Sequence, residues 1–253
     1  MNGLLLTLGL GLFIIVGAMI VFITKNNERF ISFSIASAFG VMSALIGIDL
    51  VPSALETGQN LSESIFYMMI GLTAGFLILK ILDHFIPDHE DDHKTEEDDD
   101  KNLKHIGLVS SIALVMHNIV EGMAIYSLFI NDWKCGLIAS LGVGLHNIPL
   151  GMVIASTFYQ SNKNKKKTSF IIVGISLSTF IGGLIIYLFQ SHEIMEMIEL
   201  VSLPVTIGML LYISLMELLP KIIHSKYHKS NIIGILLGIS LLLLTLFIPH
   251  HHH

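Results

Sequence analysis

The sequence predicts an all-α integral membrane protein with eight transmembrane helices. Hydrophobic residues make up 53% of its 253 residues and charged residues only 13%, whereas a soluble domain carries charge on about a quarter of its residues. The charged residues cluster between apolar runs that are long enough to cross a bilayer, which takes roughly 20 residues in a helix. The basic residues also follow a one-sided pattern along the chain. Together these observations exclude an ordinary soluble domain.

Each apolar run is expected to be helical, because a helix satisfies its own backbone hydrogen bonds in lipid. No basic residue precedes the first run, so we expect a retained helix rather than a cleaved signal peptide. The predicted spans are about 3–23, 31–51, 64–83, 106–130, 135–159, 168–189, 199–220 and 231–248.

The lysine and arginine residues predict the orientation of the chain. With the N-terminus outside, all of the 14 basic residues except Lys134 fall on the cytosolic side, as the positive-inside rule requires. An odd number of spans would spoil this asymmetry. We therefore expect both termini outside a cell (plasma) membrane. The cytosolic set comprises Lys25, Arg29, Lys80, Lys94, Lys101, Lys104, Lys163, Lys165, Lys166, Lys167, Lys221, Lys226 and Lys229.

Residues 1–249 are expected to form a single transmembrane domain. The segment at about 84–105 is polar and acidic and has no hydrophobic period, which predicts a disordered cytosolic loop. Residues 250–253 are four histidines typical of a purification-tag remnant. The single cysteine, Cys135, excludes an intramolecular disulfide.

Two internal matches predict an inverted repeat of spans one to three and six to eight around central spans four and five. The segment HNIVEGM at 117–123 recurs as HNIPLGM at 146–152. In spans two and seven, a glycine is followed nine residues later by an acid and twelve residues later by a proline. Inverted repeats with a site at mid-membrane are typical of secondary transporters. The residues of the second match are Gly40, Met42, Asp49 and Pro52, and Gly208, Leu210, Glu217 and Pro220.

The repeated HN motif places metal-ligand residues at mid-membrane. His117 and Glu121 are four residues apart and share one helix face, and His146 lies at the matching depth in span five. An isolated carboxylate there would cost about 2.5 kcal/mol or more, which a bound cation offsets. Imidazole with carboxylate suits zinc, iron or manganese, whereas magnesium and calcium prefer oxygen ligands.

Other candidates are weaker from sequence alone. A lone intramembrane histidine often serves only as a hydrogen-bonding residue between helices. Met42 by itself is typical of core packing. Asp49 and Glu217 are explained equally well as solvated carboxylates at the membrane interface and as residues on an ion pathway. For the loop histidines, a plain solvated loop is favoured over a role in weak metal capture. These are His84, His89, His93 and His105. Pro149, Gly122 and Gly151 favour a kinked, closely packed pair of central helices.

On these motifs the chain resembles the ZIP (Zrt/Irt-like) family of divalent metal transporters, bacterial type. The matching segments are HNIVEG, HNIPLG, GVMSALIGIDLVP and LYISLMELLP, and the resemblance covers essentially the whole chain. It implies eight spans, outside termini and metal uptake towards the cytosol by alternating access. Zinc would be the foremost substrate, with iron, manganese or cadmium also carried.

The resemblance also implies roles for individual residues. His117, Glu121 and His146 would be metal ligands, and Met42 would complete that site. Asn118 and Asn147 would serve a second metal position, and Glu56 would lie on the access path from outside. The sequence departs from the family at Leu150, where many members have a metal-bridging glutamate, and at Thr179 in span six. We therefore expect one well-formed metal site, unless Asp49 supplies the missing acid.

Two alternative functions remain open from the sequence. One is an intramembrane zinc hydrolase, although no separate catalytic base is evident. The other is a metal-sensing relative with impaired transport, suggested by Leu150. The expected partners are the metal ion and the lipid bilayer and not a nucleic acid. A homodimer is compatible with the sequence, which does not fix the oligomeric state.

Overall fold

The computed structural model describes residues 2–24, 28–56, 58, 60–85, 96–189 and 192–246, and all regular structure in these ranges is helical. Seven of the described helices are long and apolar enough to cross a membrane, and an eighth apolar helix, His228–Leu244, is shorter. The all-α, multi-pass class is therefore confirmed. The helices are α1 (Asn2–Ile23), α2 (Glu28–Glu56), α3 (Leu61–Phe85), α4 (Glu96–Asn131), α5 (Trp133–Asn162), α6 (Lys165–Phe189), α7 (192–223) and α8 (His228–Leu246).

The helices on either side of the loop predicted at 84–105 extend into that range. Helix α3 continues to Phe85, and α4 begins at Glu96, ten residues before the predicted start. The run EEDDD occupies the first turns of α4. Residues 86–95 lie outside the described part of the chain. Helix α7 likewise begins seven residues before its predicted start at 199.

Short connections join the central helices α4, α5 and α6. Asp132 Oδ1 accepts a hydrogen bond from the Lys134 N–H at 2.9 Å, where α5 begins. Asn164 Oδ1 accepts from the N–H groups of Lys166 and Lys167 at 3.1 and 3.2 Å, at the start of α6. These side chains satisfy backbone donors that a helix start leaves unpaired. The three helices therefore follow one another as neighbours.

Glycines allow α1 to pack tightly on α5, and α4 on α6. A Cβ atom on Gly17 or Gly151 would lie 2.2 Å from a backbone oxygen of the facing helix. On Gly122 and Gly182, the corresponding distances are 1.9 and 2.0 Å. Backbones this close exclude any side chain at these positions, as in other small-residue helix contacts in membranes. Helices α1, α4, α5 and α6 thus form one closely packed group.

The remaining helices pack as two pairs, α2 with α8 and α3 with α7. A Cβ atom on Gly40 or Gly238 would come within 2.5 Å of a backbone oxygen across the α2–α8 contact. On Gly75 and Gly208, it would come within 2.1 Å across the α3–α7 contact. Each pair is therefore joined by the same kind of glycine contact.

Helices α2 and α7 each contain a π-helical turn that the sequence did not predict. The turn in α2 covers Ile46–Leu50, and the turn in α7 covers Ile213–Leu218. Asp49 lies in the first turn and Glu217 in the second. A π turn holds an extra residue, and such turns occur frequently at functional sites. Both acids that the sequence singled out in these helices therefore lie on locally widened backbone.

The outer surface of the helices is apolar. Phe170 is 82% exposed, Ile23 is 75% exposed and Phe66 is 60% exposed. Large apolar side chains exposed over a whole bundle indicate a lipid-facing surface. The polar side chains His117 and Asn147, by contrast, are buried among the helices. This inside-out distribution is typical of a protein whose solvent is a bilayer.

Candidate metal site

Helices α4 and α5 bring three metal-ligand side chains together inside the bundle. His117 Nε2 lies 2.8 Å from Glu121 Oε1, and His146 Nε2 lies 2.6 Å from the same oxygen. One ligand atom from each residue lies within 4.8 Å of the other two. All three side chains are at most 8% exposed. The three residues for which the sequence pattern was strongest thus meet at one point.

The helical register explains this convergence. His117 and Glu121 lie one turn apart on α4, so their side chains stack on one face. The imidazole ring of His146 faces that of His117 with the ring centres 6.0 Å apart. Pro149 lies within α5, where it lacks an N–H group, so the Leu145 carbonyl loses its helical donor. The helix nevertheless continues through Pro149 without interruption.

The two asparagines of the HN motifs support the cluster in different ways. Asn147 Nδ2 donates a hydrogen bond to Glu121 Oε2 at 3.0 Å. Asn118 Nδ2 donates to the carbonyl oxygen of Ile175 on α6 at 3.3 Å. Asn147 therefore orients the carboxylate, while Asn118 ties α4 to α6. Within the described residues, the Oδ1 atoms of both asparagines are buried and accept no hydrogen bond.

The donor set suits a transition metal. His146 shares a hydrogen bond with Glu121, whereas His117 approaches Glu121 without hydrogen-bond geometry. Zinc binds nitrogen and oxygen at roughly 2.0–2.2 Å, which separates tetrahedral ligands by about 3.4 Å. The observed contacts of 2.6 and 2.8 Å would therefore open by about 0.6–0.8 Å around an ion. Metal binding would also require the imidazole nitrogens to be unprotonated.

Met42 and the predicted pathway acids belong to other helices than the three-residue cluster, namely α2 and α7. Met42 is buried in α2, and its sulfur lies 3.8 Å from Ser214 Oγ of α7. Asp49 is exposed and Glu217 is partly exposed within their π turns, and Glu56 is exposed at the end of α2. Their roles in metal binding and passage therefore stay predictions.

The predicted loop histidines do not form a loop cluster in the described part of the chain. His84 is exposed in the last turn of α3. His105 lies on helix α4 rather than in a loop, because α4 begins at Glu96. His89 and His93 lie outside the described residues, so their predicted metal capture stays a prediction.

Sequence reasoning missed two polar contacts made by side chains of α7. Ser214 approaches Met42, although a serine in an apolar run gave no sign of its partner. The hydroxyl of Tyr212 donates to Asp83 Oδ2 at 2.5 Å. An acid at the end of an apolar run was the only available signal for that pair. Leu150 is fully buried within the main apolar core.

Comparisons with known proteins show which family the chain resembles. A family model described as ZIP Zinc transporter matches residues 87–246. The zinc transporter ZupT of Streptococcus mutans is 30% identical over 242 residues, covering 92% of each chain. The zinc transporter ZupT of Chlorobium luteolum is 31% identical and covers 97% of each chain. That of Campylobacter jejuni is 31% identical and covers 96% of this chain and 94% of its own.

Proposed function

The chain belongs to the ZIP family of zinc transporters, and we propose that it carries divalent transition-metal ions, zinc foremost, across the membrane towards the cytosol. The convergence of His117, Glu121 and His146 within the bundle carries this proposal, because the three offer nitrogen and oxygen ligands in a buried place. Such a set suits zinc, and also iron, manganese or cadmium. The site would open in turn to each side of the membrane, by alternating access.

The ligands of the transported ion are proposed to be His117, Glu121 and His146, with Met42 as the fourth. The Met42 side chain is 1% exposed and lies on α2, which packs against α5. A thioether would add a soft ligand and favour cadmium and zinc over manganese. Asn147 supports this role indirectly, because its hydrogen bond holds the Glu121 carboxylate towards the two imidazoles.

A single transported ion per chain is proposed rather than two. The position where many family members have a bridging acid is Leu150, which is 0% exposed in an apolar core. Besides the two imidazoles, Glu121 is contacted by the uncharged amide of Asn147, which donates to Oε2. A second divalent ion there would share one carboxylate with the first. Uncharged oxygens compensate two divalent charges poorly in a membrane interior.

An inverted repeat is proposed for the two outer helix triplets, and the packing supports it. If each helix is exchanged with its repeat partner, every close helix pair becomes a close pair again. The partners are α1 and α6, α2 and α7, α3 and α8, and α4 and α5. The α1–α5 contact becomes the α4–α6 contact, and α2–α8 becomes α3–α7. The glycine contacts and the two π turns follow the same exchange. Repeats of this kind suit alternating access.

Asp49 and Glu217 are proposed to lie on the path of the ion, with Glu56 at the outer end. The two π turns widen the backbone at these acids and leave their side chains at least partly exposed. Exposed carboxylates on otherwise apolar helices are expensive unless water or ions reach them. This placement favours a hydrated route over a packing role.

The membrane setting is proposed from the basic residues. Lys163, Lys165, Lys166 and Lys167 are all exposed at the α5–α6 connection, as expected for a cytosolic surface. We propose a plasma-membrane protein with both termini outside, embedded directly in lipid. Self-association as a homodimer is compatible with the apolar outer surface.

The hydrolase hypothesis is not adopted, because the matched relatives are named as transporters. The sensor hypothesis rests on Leu150 alone. Flux through the wild-type protein, measured beside a Leu150→Glu variant, separates it from transport. A silent wild type with an active variant would favour a sensor.

Zinc uptake into vesicles that contain the purified protein tests the proposed function. We expect saturable uptake by wild type, and loss of uptake in a His117→Ala, His146→Ala double variant. Competition by iron, manganese and cadmium then ranks the substrates. The matched control is His224→Ala, because His224 is an exposed histidine in the α7–α8 connection. Normal uptake by the double variant would exclude the proposed site.

A further inference from the structure

A hydrogen bond between α3 and α7 lies outside the metal cluster. The Tyr212 hydroxyl on α7 donates to Asp83 Oδ2 on α3 at 2.5 Å. Tyr212 is 4% exposed, and Asp83 is half-buried. Hydrogen bonds to a carboxylate are among the stronger ones in proteins. The pair therefore forms a firm link between two helices, and the proposed ligand set uses neither residue.

The surrounding packing holds the Tyr212 ring against α3. Phe76 of α3 meets that ring edge to face, with the ring centres 5.1 Å apart. The backbones of α3 and α7 are in close contact at Gly75 and Gly208. The Tyr212 side chain is thus fixed both along its ring and at its hydroxyl. The start of the segment that follows Tyr212 in α7 is therefore held in place against α3.

The segment that follows Tyr212 is the π turn Ile213–Leu218. A π turn is rarely stable by itself, so tertiary contacts must maintain it. Ser214 in this turn contacts the sulfur of Met42 at 3.8 Å, and Glu217 lies in the same turn. The equivalent turn in α2 follows the apolar residue Leu45 instead. Of the two π turns, the one in α7 therefore directly follows a residue whose hydroxyl forms a hydrogen bond to a neighbouring helix.

We propose that Tyr212 and Asp83 are positioning residues for metal passage. This inference rests on the proposed function, because it concerns the speed at which the ion passes. The pair keeps the π turn of α7 in place, so that Ser214 stays against Met42 and Glu217 stays on the path. Neither Tyr212 nor Asp83 belongs to the proposed ligand set. Their effect therefore concerns the maximal rate of transport and not the affinity of the central site.

Four variants separate positioning from direct metal binding. Tyr212→Phe and Asp83→Ala remove the hydrogen bond, and each should lower the maximal zinc uptake rate about three- to tenfold. The KM for zinc should stay within about twofold of wild type. Asp83→Asn keeps an oxygen acceptor for the tyrosine, so its rate should stay near that of wild type. Tyr126→Phe is the matched control, because Tyr126 is also 4% exposed and packs on Tyr187.

Hydrogen exchange supplies a readout that does not depend on transport. In Tyr212→Phe, the amides of residues 213–218 should exchange several-fold faster, while those around His146 keep their wild-type rates. Unchanged exchange in the π turn would overturn the positioning role, whatever the uptake data show. Equal rate losses in Asp83→Asn and Asp83→Ala, with normal uptake by Tyr212→Phe, would also overturn it. Absence of zinc uptake by wild type would instead contradict the proposed function.

Discussion

Replacing Gly122 by alanine tests how closely the site depends on helix packing. Gly122 follows the ligand Glu121 directly on α4 and faces α6. A Cβ atom at this position would lie 1.9 Å from the backbone oxygen of Thr179 and 2.8 Å from its carbonyl carbon. A helix backbone cannot give way as the tip of a side chain can. Gly122→Ala must therefore push α4 and α6 apart locally.

The size of this displacement follows from the contact distance. Ordinary contact begins at 3.4 Å, so the Thr179 oxygen must retreat by about 1.5 Å from its 1.9 Å position. The hydrogen bond from Asn118 to Ile175, already 3.3 Å long, cannot survive such a separation. Overpacking costs about 1–3 kcal/mol, and the lost hydrogen bond adds about 0.5–1.5 kcal/mol. We expect a total destabilisation of about 1.5–4.5 kcal/mol.

Thermal unfolding in detergent, followed by the fluorescence of Trp133, measures this effect. A loss of about 1.5–4.5 kcal/mol should lower Tm by roughly 3–18 °C. Zinc uptake should fall together with stability, because Glu121 moves with α4. The matched control is Gly174→Ala, on the exposed face of α6, where an added Cβ meets nothing within 4 Å. That variant should keep the wild-type Tm and uptake.

A Gly122→Ala protein with the Tm and uptake of wild type would refute this reasoning. It would mean that α4 and α6 do not approach as closely as the structure has them. Equal losses in Gly122→Ala and Gly174→Ala would refute it differently. They would show that helix flexibility, and not close approach, is the reason for glycine.

Three further substitutions probe the site itself. Glu121→Gln keeps the side-chain shape but removes the charge between the two imidazoles, so zinc affinity measured by calorimetry should fall at least about 100-fold; an unchanged affinity would exclude Glu121 as a ligand. Leu150→Glu places a carboxylate in a fully buried apolar position, so metal analysis should show two zinc ions per chain instead of one, and two ions already in wild type would contradict the single-ion proposal. Met42→Leu conserves volume and should cost less than about 1.5 kcal/mol of stability, yet weaken cadmium binding more than zinc binding; equal affinities in the two proteins would remove Met42 from the site.

The fold class and the core of the site could be predicted because they depend on strong local signals. Apolar runs of membrane length predict helices directly, since lipid leaves the backbone no other open-chain partner. The spacing of His117 and Glu121 places them on one helix face without any tertiary information. The repeated motif at His146 then indicates a partner helix. The helices are confirmed. The structure also brings the three residues together, while their role as metal ligands stays a prediction.

Other features depend on contacts that no local pattern encodes. The π turns at Asp49 and Glu217 lie in sequences with ordinary helical periodicity, so only packing decides their wider backbone. The early start of α4 was missed because the charge of residues 96–100 was interpreted as disorder. The link between Tyr212 and Asp83 joins residues 129 positions apart.

Zinc-edge X-ray absorption of the purified protein with one equivalent of zinc tests the central claim most directly. We predict two imidazole nitrogens and a carboxylate oxygen at about 2.0–2.2 Å from the ion, and the loss of both nitrogens in the His117→Ala, His146→Ala double variant. A sulfur at about 2.3 Å or slightly longer would add Met42. An ion surrounded only by oxygen atoms, or a spectrum that the double variant leaves unchanged, would contradict the proposed site.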